Sequence, residues 1–125
     1  MRHLRTVFDI PDRDTLLTLL RRAQVQKRAR RDRRIAPTLS GRVVAMLFER
    51  ESTRTRISFE SGVAMLGGSC VVLQSRDTQL VRGEPFRDAA RVTGRYVDAL
   101  VVRAFEQDTV EEYARHAAIP VVNGL

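Results

Sequence analysis

The feature that most constrains the fold is an alternation between short apolar runs and longer segments with helical spacing. The apolar runs occupy residues 43–48, 70–73, 99–102 and 119–122. Short continuous apolar runs are typical of strands that are buried on both faces of a sheet. Strands separated by helices connect through right-handed βαβ crossovers. We therefore predict the α/β class, with a doubly wound, parallel four-stranded sheet and helices on both faces.

The helices between these runs are predicted from apolar spacing and from capping residues. A first amphipathic helix runs from a cap at Asp12 to about Arg33. A second covers about residues 53–66 and ends at paired glycines, which tolerate left-handed backbone. A third covers residues 85–96, and Asp108 is predicted to cap a fourth helix that ends near residue 116. Ligands of such sheets bind beyond the carboxyl ends of the strands, so functional residues are expected there.

The size and composition of the chain indicate one globular domain. A chain of 125 residues is long enough for a single core, and 43% hydrophobic with 30% charged residues is not the balance of a disordered protein. No apolar run is long enough to span a bilayer, and the amino terminus lacks the apolar core of a secretory signal. We therefore expect a soluble cytoplasmic protein without membrane contact. A lone Cys70 and dispersed histidines argue against disulfide and zinc chemistry.

A strongly basic segment, Lys27 to Arg34, contributes much of the formal net charge of +7. Basic surface attracts polyanions without a specific site, so nucleic acid is one partner to consider. The segment also lies at the predicted carboxyl end of the first helix, where cations interact favourably with the helix dipole. We favour this second interpretation, and we do not expect nucleic acid as a partner.

The segment Ser52 to Arg56 follows the first predicted strand and combines three hydroxyls with two guanidinium groups in the opening turn of a helix. A helix amino terminus offers unpaired N–H groups and the positive end of the dipole, and both favour a phosphate. Hydroxyls add neutral donors, and arginine adds a fork of donors that suits phosphate oxygens. Each residue taken singly could be a cap or a surface residue, but the whole pattern predicts a phosphate site. The P-loop and dinucleotide glycine motifs are missing, which argues against nucleotide and NAD binding.

This segment resembles the carbamoyl-phosphate signature of the aspartate/ornithine carbamoyltransferase family. The resemblance implies that residues 1–125 are the family's carbamoyl-phosphate-binding domain. Arg50 stands where many members have lysine, and Ala89 where ornithine-type members usually have threonine. Further similar segments follow in the same order and spacing along nearly the whole chain: residues 57–60, 66–68, 78–80, 82–84, 88–91, 95–99 and 119–125.

The resemblance implies which residues of the signature bind the substrate. Ser52, Thr53, Arg54 and Thr55 would bind the phosphate group of carbamoyl phosphate. Arg56 is interpreted as structural and is expected to pair with the glutamate four residues later.

Two residues outside the signature are also expected in the site by resemblance. Arg103, at the carboxyl end of the third predicted strand, would contact both the phosphate and the carbonyl oxygen and is the expected catalytic residue. A fixed cation beside that oxygen stabilises the negative charge that develops when an amine attacks. Gln79 would reach the carbamoyl phosphate of a neighbouring subunit. The alternatives are a surface salt bridge for Arg103 and a loop position without a role for Gln79.

The implied reaction transfers the carbamoyl group from carbamoyl phosphate to the δ-amine of L-ornithine, giving L-citrulline and phosphate without a metal or organic cofactor. The family implies a homotrimer for the full-length enzyme. In the family, a His-Pro-x-Gln segment and an amino-acid-binding second domain follow the position of Leu125, so L-ornithine would bind through parts outside these 125 residues. We therefore expect little or no transferase activity from this chain by itself, and detectable citrulline formation would refute that expectation.

Alternatives for the acceptor and for the class of function stay open. Gln79, Arg82 to Glu84 and Asn123 to Leu125 are more similar to ornithine than to aspartate members. Acceptor choice belongs to the second domain, so aspartate or another amine is an alternative, and the metabolic direction is open. A non-catalytic module is the alternative from another class, either an anion sensor or an adaptor that binds nucleic acid through Lys27 to Arg34.

Overall fold

A computed structural model describes residues 3–50, 52–74 and 85–125. The strands form one sheet in the order β2-β1-β3-β4, and all neighbouring pairs are parallel. Helices follow the strands in alternation, which confirms the predicted doubly wound α/β fold. The elements are α1 (Arg13–Arg31), β1 (Val43–Phe48), α2 (Thr53–Met65), β2 (Ser69–Gln74), α3 (Phe86–Thr93), β3 (Ala99–Arg103), α4 (Gln107–His116) and β4 (Val121–Asn123).

The two central strands are covered on both faces, as their continuous apolar sequences predicted. Ala45 and Leu47 of β1 pack in one core with residues of α3 and α4, including Val110 and Tyr113. The alternate β1 residues, such as Met46, pack in a second core with residues of α2. Successive side chains of a strand point to opposite faces, so one apolar run contributes to both cores.

Helix α1 differs from the others because none of its residues is buried. Asp12 caps it, as predicted, by accepting from the amide of Thr15 at 2.6 Å. Its apolar residues repeat at helical spacing, yet Leu19 and Leu20 are 45% and 52% exposed. Among the described ranges, no helix combines the length and apolarity needed to cross a bilayer.

Several boundaries differ from the prediction by one to three residues, including that of β4, which begins at Val121 instead of residue 119. Helix α4 begins at Gln107 after Glu106, which makes no capping hydrogen bond with its side chain, and Asp108 lies in the first turn instead of at the cap. Helix α3 ends at Thr93 because Gly94 begins the turn that leads to β3. The predicted four-stranded sheet is unaffected by these shifts.

The amino-terminal segment pairs with the edge of the sheet, a feature that the sequence did not indicate. The amide of Leu4 donates to the carbonyl of Val121 at 2.8 Å, and the amide of Asn123 donates to the carbonyl of Leu4 at 2.8 Å. This parallel bridge covers the outer edge of β4. An edge that is paired in this way does not offer free N–H and C=O groups to another chain.

Candidate anion-binding site

The strand order places the exits of β1 and β3 side by side. β2 lies on one side of β1, whereas β3 and β4 lie on the other. The winding direction therefore reverses between β1 and β3, and such a switch point opens a crevice at the carboxyl ends of the strands. Phe48 at the end of β1 is in register with Arg103 at the end of β3. The segment Ser52 to Arg56 leaves β1 at this crevice.

Ser52 is the N-cap of α2, and its hydroxyl organises the opening turn. Its Oγ accepts from the amide of Thr55 at 3.3 Å and donates to Thr55 Oγ1 at 2.9 Å. Within the described ranges, the amides of Thr53 and Arg54 have no protein acceptor. The cap therefore uses one amide of the turn and leaves two that can donate to a ligand.

Arg103 contributes a guanidinium group that the fold holds in place. Its Nη1 donates to the carbonyl of Gly124 at 2.7 Å and to Thr55 Oγ1 at 3.2 Å. Its Nε is buried and has no acceptor among the residues that the structure describes. A buried donor without an acceptor is unfavourable by about 1–3 kcal/mol, so the Nε–H of Arg103 would gain from an acceptor such as a ligand oxygen.

These side chains meet in one cavity. Ser52, Thr53, Arg54 and Arg103 line a cavity of about 350 Å³. Thr55 joins this group through the hydrogen bond from Arg103. The structure thus brings together Ser52 to Thr55 and Arg103, which the family resemblance assigned to the phosphate and the carbonyl oxygen. Gln79 lies outside the described residues.

The electrostatics of the opening turn favour an anion. Helix α2 has no acidic residue in its first turn, and Arg54 places a cation there instead. A cation beside the positive end of a helix dipole is unfavourable by about 0.3–1 kcal/mol, and a bound anion reverses the sign of that interaction. Arg56 is already paired, because its Nε lies 3.2 Å from Glu60 Oε1. Arg54 is therefore the arginine of the signature that is suited to a ligand, and the predicted pairing of Arg56 is confirmed.

A second, larger cavity is less suited to an anion. It measures about 500 Å³ and lies between the amino-terminal segment and the end of β4. Its arginine, Arg5, forms ion pairs with Asp9 at 2.6 Å and with Glu111 at 2.7 Å. Those carboxylates hold the pKa of Arg5 above its usual value and neutralise its charge toward any further anion.

Gly124 is a site residue that sequence reasoning did not single out. Its carbonyl accepts from Arg103, and its amide donates to the carbonyl of Val102 at 2.8 Å. A Cβ at this position would lie 3.0 Å from Val101 Cγ1, so a larger residue would press against β3. A backbone carbonyl can accept a hydrogen bond whatever the side chain, so the residue type does not predict this contact. The only sequence feature that pointed to this position was a glycine just after a short predicted strand.

The geometry defines a class of protein: a parallel α/β domain that gathers helix amides, hydroxyls and two arginines at its switch point. The family model described as aspartate/ornithine carbamoyltransferase, carbamoyl-P binding domain, matches residues 2–125. The chain therefore belongs to the aspartate/ornithine carbamoyltransferase family and corresponds to its carbamoyl-phosphate-binding domain, as the resemblance implied.

Individual relatives agree with this assignment. The ornithine carbamoyltransferase of Halorhodospira halophila is 50% identical over 125 residues, which are 100% of this chain and 41% of that protein. The solved ornithine carbamoyltransferase of Pyrococcus furiosus is 40% identical with a TM-score of 0.93, covering 99% of this chain and 39% of that one. The catalytic subunit of M. Jannaschii aspartate transcarbamoylase is 28% identical with a TM-score of 0.88, covering 100% of this chain and 41% of that one. The chain thus spans about two fifths of the length of these relatives.

Proposed function

We propose that this chain is the carbamoyl-phosphate-binding part of an ornithine carbamoyltransferase. The observation that carries the proposal is the shared cavity at the switch point, lined by Ser52, Thr53, Arg54 and Arg103. Its donors are amides, hydroxyls and guanidinium groups, which match the oxygens of a terminal phosphate group. The family assignment supplies carbamoyl phosphate as the particular phosphate compound.

The proposed roles follow from the position of each donor. The turn Ser52 to Thr55 binds the phosphate group through its amides and hydroxyls, and Arg54 adds a charge-assisted contact. Arg103, at the end of β3, lines the same cavity, and we assign to it contacts with both the phosphate and the carbonyl oxygen. When the amine attacks the carbonyl carbon, negative charge grows on that oxygen, and the fixed cation stabilises it. The C–O bond to phosphate then breaks, the amine nitrogen gives up one proton to the departing phosphate, and the anion site holds the resulting hydrogen phosphate.

We propose L-ornithine as the acceptor of the whole enzyme, with L-citrulline and phosphate as products. The support is the higher identity to ornithine carbamoyltransferases, 50% and 40%, than to the aspartate transcarbamoylase, 28%. The proposal extends to a cytoplasmic homotrimer that serves arginine biosynthesis, with Gln79 reaching a neighbouring subunit's substrate. Light scattering on the whole enzyme tests the trimer, and a monomeric active enzyme would contradict it.

Calorimetric titration with carbamoyl phosphate tests the binding function of this chain. We expect saturable binding by the native chain and a loss of about 10- to 100-fold in affinity for Arg54→Ala, because a charge-assisted contact is removed. Arg30→Ala, a matched change in the exposed basic segment, is the control and should bind like the native chain. Equal affinity of Arg54→Ala and the native chain would refute the proposal. Loss in Arg30→Ala instead would favour a non-specific polyanion surface.

A further inference from the structure

We infer that Glu49 is a positioning residue that fixes Arg103 for its contact with carbamoyl phosphate. Glu49 follows β1 directly and lies three residues before the Ser52 cap. It contacts the exit of β3 rather than the cavity itself. The inference deepens the proposed function and rests on it, since it assigns a role in the same site.

The main-chain contacts tie the exits of the two strands together. The amide of Glu49 donates to the carbonyl of Arg103 at 2.9 Å, and the amide of Arg50 donates to the same carbonyl at 3.4 Å. These bonds extend the parallel pairing of Phe48 with Arg103 by one step beyond the sheet. The carbonyl of Arg103 is therefore held by Glu49 and Arg50, in the loop that leads from β1 to Ser52.

The carboxylate of Glu49 fixes the other side of the same segment. Its Oε2 accepts from the amide of Phe105 at 3.2 Å. Ala104, which lies between these two contacts, is fully buried, so packing in the core also restrains this segment. Glu49 thus contacts the chain at Arg103 and again at Phe105, and both contacts restrain the backbone from which the guanidinium extends.

The sign of its charge makes the role of Glu49 testable. A carboxylate near an anion site opposes anion binding by Coulomb repulsion. If Glu49 acted through its charge, its removal would tighten the binding of a phosphate compound. If it acts by holding the β3 exit, removal of the acceptor weakens binding in spite of the lost repulsion. The two mechanisms therefore predict opposite changes in affinity.

The experiment compares Glu49→Ala, Glu49→Gln and Glu106→Ala with the native chain by calorimetric titration with carbamoyl phosphate. Glu49→Gln keeps a side-chain acceptor without the charge. Glu106→Ala removes a carboxylate one residue beyond Phe105 that makes no side-chain capping bond. We expect affinity to fall about 5- to 10-fold in Glu49→Ala, to stay within about twofold of native in Glu49→Gln, and to be unchanged or slightly higher in Glu106→Ala.

An NMR measurement on the ligand-free protein separates this inference from the proposed function. The Nε–H of Arg103 is buried, so its resonance should exchange slowly with water in the native chain and in Glu49→Gln, and quickly in Glu49→Ala. Affinity in Glu49→Ala equal to or above native, or an unchanged Nε–H resonance, overturns the inference. Failure of the native chain to bind carbamoyl phosphate overturns the proposed function, and the resonance then decides whether Glu49 positions Arg103.

Discussion

Two segments of this chain concentrate arginine, and they lie at opposite ends of helices. Residues 27–34 form the carboxyl end of α1 and the turn after it, whereas residues 52–56 form the amino end of α2. The basic residues in the last turn of α1 are exposed, and no ion pair between described residues involves them. In the second segment, Arg54 lines a cavity that it shares with Arg103.

The difference teaches that charge density does not by itself make an anion site. The cations of residues 27–34 lie at the negative end of a helix dipole, so the helix they belong to is stabilised without a ligand. Arg54 lies at the positive end, where it is unfavourable until an anion arrives. The second segment also supplies amides and hydroxyls in fixed directions. At residues 52–56 the cation that would serve ligand binding therefore lowers local stability, whereas at residues 27–34 the cations raise local stability without a ligand.

The largest expected effect comes from introducing a negative charge at the cap of α2. Ser52→Asp keeps a good N-cap, so the free energy of unfolding should stay close to native, but the carboxylate repels a phosphate. We expect affinity for carbamoyl phosphate to fall more than about 100-fold by calorimetry. Ser52→Ala is the control: loss of the cap lowers the free energy of unfolding by about 1 kcal/mol, with a smaller loss of affinity. If Ser52→Asp bound carbamoyl phosphate with native affinity, phosphate binding at this turn would be contradicted.

A smaller effect distinguishes the two arginine segments: replacing an arginine should change the free energy of unfolding in opposite directions in the two segments. Arg54→Gln removes an unfavourable cation and should raise the free energy of unfolding by about 0.3–1 kcal/mol. Arg30→Gln removes a favourable cation from the last turn of α1 and should lower it by a similar amount. Glutamine and arginine have similar helix propensities, which makes the pair matched. Urea unfolding at low salt measures both, and changes of the same sign would contradict the comparison.

The smallest effect concerns Asp98, the carboxylate that pairs with Arg42. Asp98 accepts from the amide of Val43 at 2.8 Å and from Arg42 Nη1 at 2.6 Å, and these bonds lower its pKa in that order of importance. A lowered folded-state pKa stabilises the fold above the unfolded pKa of about 4, and this stabilisation is lost as pH falls through the folded value.

We therefore expect Asp98→Asn to be less stable than the native chain near neutral pH and to lose less stability on acidification. Urea unfolding at several pH values between about 6 and 2.5 measures this difference. Because Asp98 precedes β3 at the amino edge of the sheet, affinity at the carboxyl edge should not change. Parallel pH profiles of the two proteins would show that this carboxylate is not linked to folding.

The sheet and the helix start at Ser52 could be predicted because their signals are local. Val43 to Phe48 is a continuous apolar run, and Ser52 to Arg56 contains its donors within one helical turn. The pairing of Leu4 with β4 was missed because it joins residues at opposite ends of the chain, for which local patterns give no indication. The start of α4 was misplaced because Glu106 makes no side-chain cap there.

In the candidate site, too, some features have a local sequence signal and others depend on contacts between distant residues. The position of Arg103 at a strand end and the family resemblance both pointed to it. The acceptor for its guanidinium, the carbonyl of Gly124, is a backbone atom and leaves no trace in the side-chain pattern. The contacts of Glu49 likewise depend on the register between β1 and β3, which the sequence does not specify.

The most direct test of the anion site is an NMR titration of the amide resonances with a phosphonate analogue of carbamoyl phosphate. The comparison of the two segments predicts saturable shifts at Thr53, Arg54 and Arg103, with no saturable shift across residues 27–34. Shifts confined to residues 27–34, or no saturable shift at Thr53 and Arg54, would contradict the account.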